Sequence, residues 1–178
     1  VILSDPKLEN SDVSVTAYVL AAGLKKIGFD LVVCGTQSTD AITGEVPGML
    51  AEHLGVPGLT YVRKLESEGN TIKGQRETDT GYLEISVPTP SVVSVTKAIA
   101  EPRYPSLKGI MGAKKKTIAV LSLADLGIDR AVGSDGAKTE VLDLATPPAR
   151  QKGRVVNAAD GPEGATAIFD FLREKKFL

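Results

Sequence analysis

The sequence contains one cysteine, one histidine and no tryptophan, and aromatic residues make up only 4% of its 178 residues. A single cysteine excludes a disulfide framework within the chain, which fits a reducing compartment. No apolar run approaches the roughly 20 residues that a membrane-spanning helix needs, so we expect no direct membrane insertion. The formal net charge of −1 gives no reason to expect nucleic acid as a partner. The length is enough for one compact domain with a core, or for one and a half small ones.

The scarcity of histidine and cysteine also limits the catalytic chemistry that the chain could perform. His53 is predicted on a helix among polar neighbours, where we expect an exposed surface residue and not a general base. Cys34 ends an apolar run and is predicted to be a small core residue. The sequence offers no second cysteine and no serine–histidine or carboxylate–histidine arrangement that would support nucleophilic catalysis.

The stretch from Asp30 to Pro57 is the one around which the chain is organised. An apolar run from Leu31 to Cys34 ends at a polar loop, Gly35 to Thr43, and an amphipathic segment follows from Val46 to Leu54. An apolar start and a helical stripe from Val13 to Ile27 precede it. This β-α-β-loop-α order favours a parallel sheet with right-handed crossovers, so the predicted fold class is α/β and Rossmann-like.

The remaining pattern predicts, in chain order, an antiparallel meander at 59–87, a buried strand at 91–95, an irregular segment at 97–105, a short helix at 106–116, a strand at 117–121, a helical turn at 123–127, a late strand at 138–144, an extended linker at 146–150 and a helix from residue 161. We therefore expect a nucleotide-binding α/β domain over residues 1–145, with the meander as an insertion. Residues 146–178 would form an extended C-terminal arm that ends in a helix. Because Val1 to Asp5 is typical of the end of a buried strand, the chain is expected to begin inside this domain, without its N-terminal part.

The loop from Gly35 to Thr43 lies where an open α/β sheet binds nucleotides and other anions. Its small polar side chains and its backbone N–H groups would suit a phosphate. The loop has no lysine or arginine, and the chain has neither a GxxxxGK[ST] nor a GxGxxG motif. An enzyme that cleaves ATP would need a cation or metal there. Two interpretations stay open: a site that holds a nucleotide monophosphate without cleaving it, and an ordinary polar loop.

A second informative stretch covers residues 101–116, where two prolines stiffen the chain. If Ser106 caps a helix, one face of that helix carries four side chains: Leu107, Ile110, Met111 and Lys114. The apolar members of this set could form a docking anchor beside cations. They could instead pack inward beneath a solvated row of lysines, and the pattern by itself slightly favours this second arrangement.

Three blocks of the sequence resemble the beta subunit of electron transfer flavoprotein: GTQSTDAITGEVPGMLAEHLGVPGLTYVRKLE, GQRETDTGYLEISVPTPSVVSV and EPRYPSLKGIMGAKKK. The resemblance covers nearly everything from Val1 to about Leu126. Its most specific features are the T-G-x-x-P…A-E…L-G-x-P-x-x-T spacing between Thr43 and Thr60 and the EPR[YF]-x-[ST]-L…I-M-x-A-K-K-K block. The part after Leu126 is similar only loosely.

The resemblance implies an electron carrier without bond chemistry of its own, on an adenine-nucleotide-hydrolase-like variant of the Rossmann-like fold. It implies a heterodimer in which the alpha subunit holds most of the FAD and receives the C-terminal arm of the beta subunit. A structural AMP would be held by the loop residues Gly35, Thr36, Gln37, Ser38, Thr39, Asp40, Ala41, Ile42 and Thr43. In a bifurcating relative, a second FAD would take the place of AMP.

The resemblance further implies electrons received from acyl-CoA and related dehydrogenases, as in fatty acid oxidation, and passed to electron transfer flavoprotein-quinone oxidoreductase of the respiratory chain. Arg76 and Glu77 match a family pair near the flavin and the subunit interface, although these two could equally form a local ion pair. Such a protein would be cytoplasmic in a bacterium and in the mitochondrial matrix of a eukaryote. The dehydrogenase would dock, with Leu107 in one of its pockets, on a surface made of Glu101, Pro102, Arg103, Tyr104, Leu107, Ile110, Met111 and Lys114.

Two other functions stay open on the residues alone. An ATP-dependent ligase or hydrolase on the same fold would turn over ATP with a metal, and the missing lysine in the loop counts against it. A nucleotide-sensing regulator would bind AMP or ATP without a flavin.

Overall fold

The computed structural model describes residues 1–150, 153 and 155–178. The chain divides into two compact units, Val1–Glu140 and Val141–Leu178. The strands are β1 (Ile2–Leu3), β2 (Leu31–Gly35), β3 (Gly58–Glu68), β4 (Thr71–Thr78), β5 (Gly81–Pro88), β6 (Ser91–Val95) and β7 (Val120–Leu121). The helices are α1 (Val13–Ile27), α2 (Val46–Leu54), α3 (Leu107–Ala113), α4 (Leu123–Leu126), α5 (Gly133–Gly136) and α6 (Gly161–Glu174).

The first unit is built on a five-stranded sheet with the order β2-β6-β3-β4-β5. Strands β2, β6 and β3 run parallel, and β3, β4 and β5 form the antiparallel meander. The prediction of an α/β, Rossmann-like parallel sheet with an antiparallel meander is confirmed. The meander continues the parallel sheet through β3, which pairs with strands on both sides. A separate parallel pair joins β1 to β7.

Helix α1 begins where the sequence predicts, because Asp12 accepts a hydrogen bond from the backbone N–H of Val15 at 2.9 Å. It ends at Gly28, whose φ of 80° lies in the left-handed region that favours glycine. Its side chains Val15 and Val19 pack with Leu123 and Val132 in one core cluster. The helix therefore links the start of the first unit to its last helical turns.

The central strand β6 separates two further clusters, because neighbouring side chains of a strand point to opposite faces. Val92 packs with Ala21, Leu50 and Ala51 of the two long helices. Val93 packs on the other face with a set from the meander: Leu59, Val62 and Ile72. The strand predicted at 91–95 as a buried return to the main sheet is therefore confirmed, since its first four residues are buried.

Several predictions for single elements are wrong or too long. The described residues 138–144 form no strand; Lys138 and Thr139 instead donate hydrogen bonds to Asp12, at 2.8 and 3.3 Å. The predicted strand at 117–121 shortens to β7, and the predicted helix at 106–116 to α3. Alternating apolar residues predict a strand only where a partner strand is available, and β-propensity depends on that context.

Two predictions about buried side chains also need correction. Strand β2 is the edge strand of its sheet, so Val33 is 57% exposed and Cys34 is only half-buried. This partial burial raises the pKa of the Cys34 thiol. His53 is half-buried and not fully exposed, because its ring meets that of Tyr18 edge-on at 5.7 Å between centroids.

The second unit, Val141–Leu178, contains helix α6, and its other described residues form no further helix or strand. Asp160 caps the helix by accepting the backbone N–H of Glu163 at 2.9 Å, and Glu163 accepts the N–H of Ala159 at 2.8 Å. The helix predicted from residue 161 is thus confirmed, although its apolar side chains Ile168 and Phe169 are more than half exposed. Within the residues described, no helix is long and apolar enough to cross a membrane.

Candidate nucleotide-binding site

Two parallel strands, β2 and β6, end together at one edge of the main sheet, next to β3, which continues into the meander. Gly35, the last residue of β2, pairs with Val95, the last residue of β6, and Val95 also pairs with Val62 of β3. The backbone N–H of Thr96 donates to the carbonyl of Val62 at 2.9 Å, which closes this edge. In open α/β sheets, ligands bind in the crevice outside such carboxyl ends.

The predicted binding loop, Gly35 to Thr43, leaves the sheet at this edge. Its root is fixed, because the half-buried Thr36 hydroxyl donates to the Val95 carbonyl at 2.9 Å. The next seven residues are exposed, and Ile42 and Gly44 have left-handed φ values of 53° and 67°. No described residue accepts a hydrogen bond from the backbone N–H groups at positions 37–39. The loop therefore presents uncommitted donors to a ligand.

Asp40 is the only charged side chain in this loop. Its carboxylate accepts a hydrogen bond from the Ser38 side chain and one from the backbone N–H of Ala41 at 2.7 Å. These bonds lower the pKa of Asp40, so the carboxylate is ionised at neutral pH. A fixed negative charge suits a hydroxyl donor such as a ribose, whereas a phosphate would be served by the backbone N–H groups. Among the residues described, no group of three or more His, Cys, Asp or Glu side chains is placed to hold a metal ion.

The guanidinium group of Arg76 is fixed next to this edge. It donates to the hydroxyl of Thr60 on the neighbouring strand at 2.8 Å. In the part of the chain described, Arg76 makes no ion pair with the exposed Glu77, because adjacent residues of β4 point to opposite faces of the sheet. The local ion pair considered from the sequence is therefore wrong. Arg76 instead forms a hydrogen bond with strand β3, at Thr60.

The second predicted surface lies on α3 and the segment before it. Ser106 caps the helix by accepting the backbone N–H of Gly109 at 3.1 Å, as predicted. The side chains of Tyr104, Leu107, Met111 and Ile110 are 98%, 76%, 60% and 44% exposed, respectively. Inward packing of these apolar side chains, which the pattern slightly favoured, is therefore wrong. They form an exposed apolar surface next to Lys114–Lys116, which are also exposed.

Residues 1–126 match the family model for the electron transfer flavoprotein domain. The chain is 43% identical over 178 residues to the electron transfer flavoprotein subunit beta of Mycobacterium tuberculosis (strain ATCC 25618 / H37Rv), covering 99% of this chain and 66% of that protein. The Megasphaera elsdenii subunit of the same name is 36% identical over 182 residues, covering 98% and 67%, respectively. The chain belongs to the electron transfer flavoprotein beta-subunit family. It spans just under two thirds of the length of the mycobacterial relatives that it matches.

In this electron transfer flavoprotein chain, the residues predicted as functional fall into two groups. The loop Gly35–Thr43 and Arg76 lie at or beside the carboxyl edge of the parallel strands, whereas Tyr104 and the α3 side chains form a separate exposed surface. Their roles toward cofactor and partner stay predictions. Sequence reasoning did not single out Tyr61, which lies in β3 at the loop edge, because nothing in its local pattern marks its unusual backbone conformation.

Proposed function

We propose that the chain is the beta-type, electron-carrying subunit of a heterodimeric electron transfer flavoprotein. It would bind a structural AMP at Gly35–Thr43, while an alpha-type partner holds most of the FAD. The proposal rests on the 43% identity over 99% of the chain to a named beta subunit. A carrier of this kind needs proximity between redox groups and no acid or base, which agrees with the single histidine lying half-buried against Tyr18.

The loop fits an AMP that is held and not cleaved. Its backbone N–H groups at 37–39 are available to a phosphate, and the ionised Asp40 is available to the ribose hydroxyls. The loop carries no lysine or arginine to stabilise a leaving phosphate. These residues would bind and orient the nucleotide at the sheet edge, where it would stabilise the subunit.

The exposed surface around Leu107 would receive the electron donor. An apolar side chain that is 76% exposed on a helix capped by Ser106 suits a docking anchor, and the neighbouring lysines add charge for steering. The donors in this proposal are acyl-CoA and related dehydrogenases, and the acceptor is electron transfer flavoprotein-quinone oxidoreductase. The location would be the cytoplasm of a bacterium or the mitochondrial matrix of a eukaryote.

The cofactors of the purified complex test this proposal. The chain would be co-expressed with its alpha-type partner, and the bound small molecules would be extracted and identified by mass spectrometry. We expect a yellow complex that contains FAD and AMP in stoichiometric amounts. Additional FAD without AMP would mark a second flavin in the loop site. A colourless chain that binds no alpha-type partner, or metal-dependent ATP turnover, would contradict the proposal.

A further inference from the structure

Strand β3 carries an extra residue at the binding edge of the sheet. Between Leu59 and Val62 it advances three residues, while its partner β6 advances only two, from Val93 to Val95. Such a bulge re-aims a side chain, and bulges occur frequently next to binding sites. Tyr61 lies in this bulge with a φ of 58°, in the left-handed region that a bulky residue adopts only rarely.

Two side-chain hydrogen bonds hold the bulge in this conformation. The backbone N–H of Tyr61 donates to the hydroxyl of Ser94, which is buried in the neighbouring strand, at 3.0 Å. The Arg76 guanidinium holds the preceding residue, Thr60, from the other neighbouring strand. A left-handed backbone conformation is strained for a non-glycine residue, and it persists where the surroundings fix it, often at ligand sites. Hydrogen bonds with both neighbouring strands, β6 and β4, thus fix the backbone that carries the Tyr61 phenol.

This phenol reaches the far end of the binding loop. A Cβ atom added to Gly44 would lie 3.1 Å from the Tyr61 hydroxyl oxygen and 3.7 Å from the carbonyl oxygen of Thr36. The Tyr61 hydroxyl therefore lies near both ends of the loop, at Thr36 and at Gly44. Because Gly44 has no side chain, the space next to this hydroxyl is open. Tyr61 is 42% exposed, and no described residue forms a hydrogen bond with its hydroxyl.

We infer that the Tyr61 hydroxyl donates a hydrogen bond to the phosphate group of the nucleotide in this loop. The inference rests on the proposed function. The loop contains no cation, and the nearby Arg76 guanidinium is bonded to Thr60, so the donors that the loop itself offers to a phosphate are neutral. The Tyr61 phenol is a further neutral donor, and the sheet fixes it. The ionised Asp40 disfavours a phosphate at its own position, which leaves the phosphate to the donors of the loop backbone and to Tyr61.

The test compares AMP and adenosine on the FAD-containing heterodimer carrying Tyr61→Phe. This variant keeps the ring and the bulge but removes the hydroxyl. We expect the AMP dissociation constant to rise about tenfold, as for the loss of one hydrogen bond to a charged group, with adenosine affinity unchanged. Tyr82→Phe is the matched control, because Tyr82 is 52% exposed on β5 and contacts Arg63.

Hydrogen exchange of the nucleotide-free complex accompanies the titrations, and we expect equal protection of the amides at 36–44 in the wild type and in Tyr61→Phe. Unchanged AMP affinity in Tyr61→Phe would overturn the inference and leave the proposed function intact. An equal loss for AMP and adenosine, or lower protection of the loop, would also overturn it, because the hydroxyl would then act on the ring or on the fold. A wild-type complex with FAD but no affinity for AMP would overturn the inference together with the AMP part of the proposed function.

Discussion

The docking role proposed for Leu107 depends on the exposure of its side chain. Because 76% of the residue is accessible, truncating it removes almost no packing within the chain. We predict that Leu107→Ala slows electron transfer from the dehydrogenase by at least about tenfold, the scale of a buried docking anchor, and leaves flavin content and melting temperature unchanged. Stopped-flow reduction of the flavin by the reduced dehydrogenase measures the first quantity.

Leu83→Ala provides the matched control for this experiment. Leu83 is 55% exposed on β5, and so it tests the loss of an exposed leucine outside the α3 surface. We expect it to leave the rate unchanged. A drop in melting temperature in Leu107→Ala, with an unchanged transfer rate, would mean that the side chain serves the fold and not docking.

The carboxylate of Asp12 joins two segments of the first unit, the first turn of α1 and residues 138–139. It caps α1 at Val15 and accepts hydrogen bonds from Lys138 and Thr139. The bond from the Val15 backbone, opposed by burial and aided by the other two partners, lowers the pKa of Asp12 below its usual 3.8. We predict that Asp12→Ala lowers the free energy of unfolding by about 1–2 kcal/mol at neutral pH.

The pH dependence of that loss follows from the lowered pKa. A carboxyl group with a lower pKa in the folded state stabilises the fold above its unfolded pKa, and this contribution is lost as pH falls through the folded pKa. The wild type and Asp12→Ala should therefore differ most at about pH 6 and converge below pH 3.8, in urea titrations. Asp79→Ala, at the exposed turn after β4, serves as the control. A difference that stays constant with pH would contradict an ionised cap.

Asp12 and Tyr61 show which features of single residues can be predicted from the sequence and which cannot. The cap at Asp12 depends on its own neighbours in sequence, and so it was predictable. The conformation of Tyr61 depends on a hydroxyl 33 positions away, in Ser94. Its local sequence is that of an ordinary strand, and no local pattern encodes a bulge that another strand imposes.

The same distinction holds for helices and strands: features set by neighbouring residues could be predicted, and features set by distant residues could not. Helices α1 and α2 end at Gly28 and Gly55, both with left-handed φ values, and each end was readable from the sequence. The edge position of β2 and the missing strand at 138–144 depend on which strands find partners. The polar loop of the candidate site was located correctly because it joins two strongly patterned elements, α2 and β2.

Strand β4 contains a glycine that the core of the meander requires. A Cβ atom on Gly74 would lie 2.8 Å from Leu59 Cδ2 and 3.1 Å from Val62 Cγ1, and both of those residues are fully buried. Since neither can move aside freely, we predict that Gly74→Ala lowers the free energy of unfolding by about 1–3 kcal/mol. Chemical denaturation of the two proteins measures the difference.

Gly48→Ala is the control for Gly74→Ala, because it makes the same chemical change in a different element. No atom lies within 4 Å of a Cβ placed on Gly48, which is exposed in helix α2. Alanine there should raise stability by up to about 1 kcal/mol through helix propensity. If Gly74→Ala were as well tolerated as Gly48→Ala, the close packing of β4 against Leu59 would be wrong.

At the scale of the whole molecule, the two units differ in how many of their apolar side chains are buried. Among the described residues, every buried apolar side chain lies between Val15 and Val132, inside the first unit. The second unit exposes large apolar side chains instead: Val141, Leu142, Leu144, Val155, Val156, Ile168, Phe169, Phe171, Phe177 and Leu178. A capped amphipathic helix with an exposed apolar face is typical of a segment that packs on a partner.

We predict that a chain shortened to end at Leu144 folds but no longer assembles with its alpha-type partner. The first unit keeps its whole described core, so its cooperative unfolding in urea should persist with a similar midpoint. The arm and α6 would be missing, so co-purification of the partner and the yellow colour should be lost. Size-exclusion chromatography of the co-expressed proteins measures assembly, and absorbance measures flavin.

A full-length double variant, Ile168→Gln with Phe169→Gln, tests the same apolar face without shortening the chain. Both residues are exposed, 62% and 53%, so the substitutions cost the isolated chain little, whereas a partner that covers them would be bound more weakly. Thr166→Gln, on the exposed polar side of α6, is the control and should assemble normally. If the double variant assembled as well as the wild type while the shortened chain did not, the contact with the partner would lie elsewhere in residues 145–178 and not at Ile168 and Phe169.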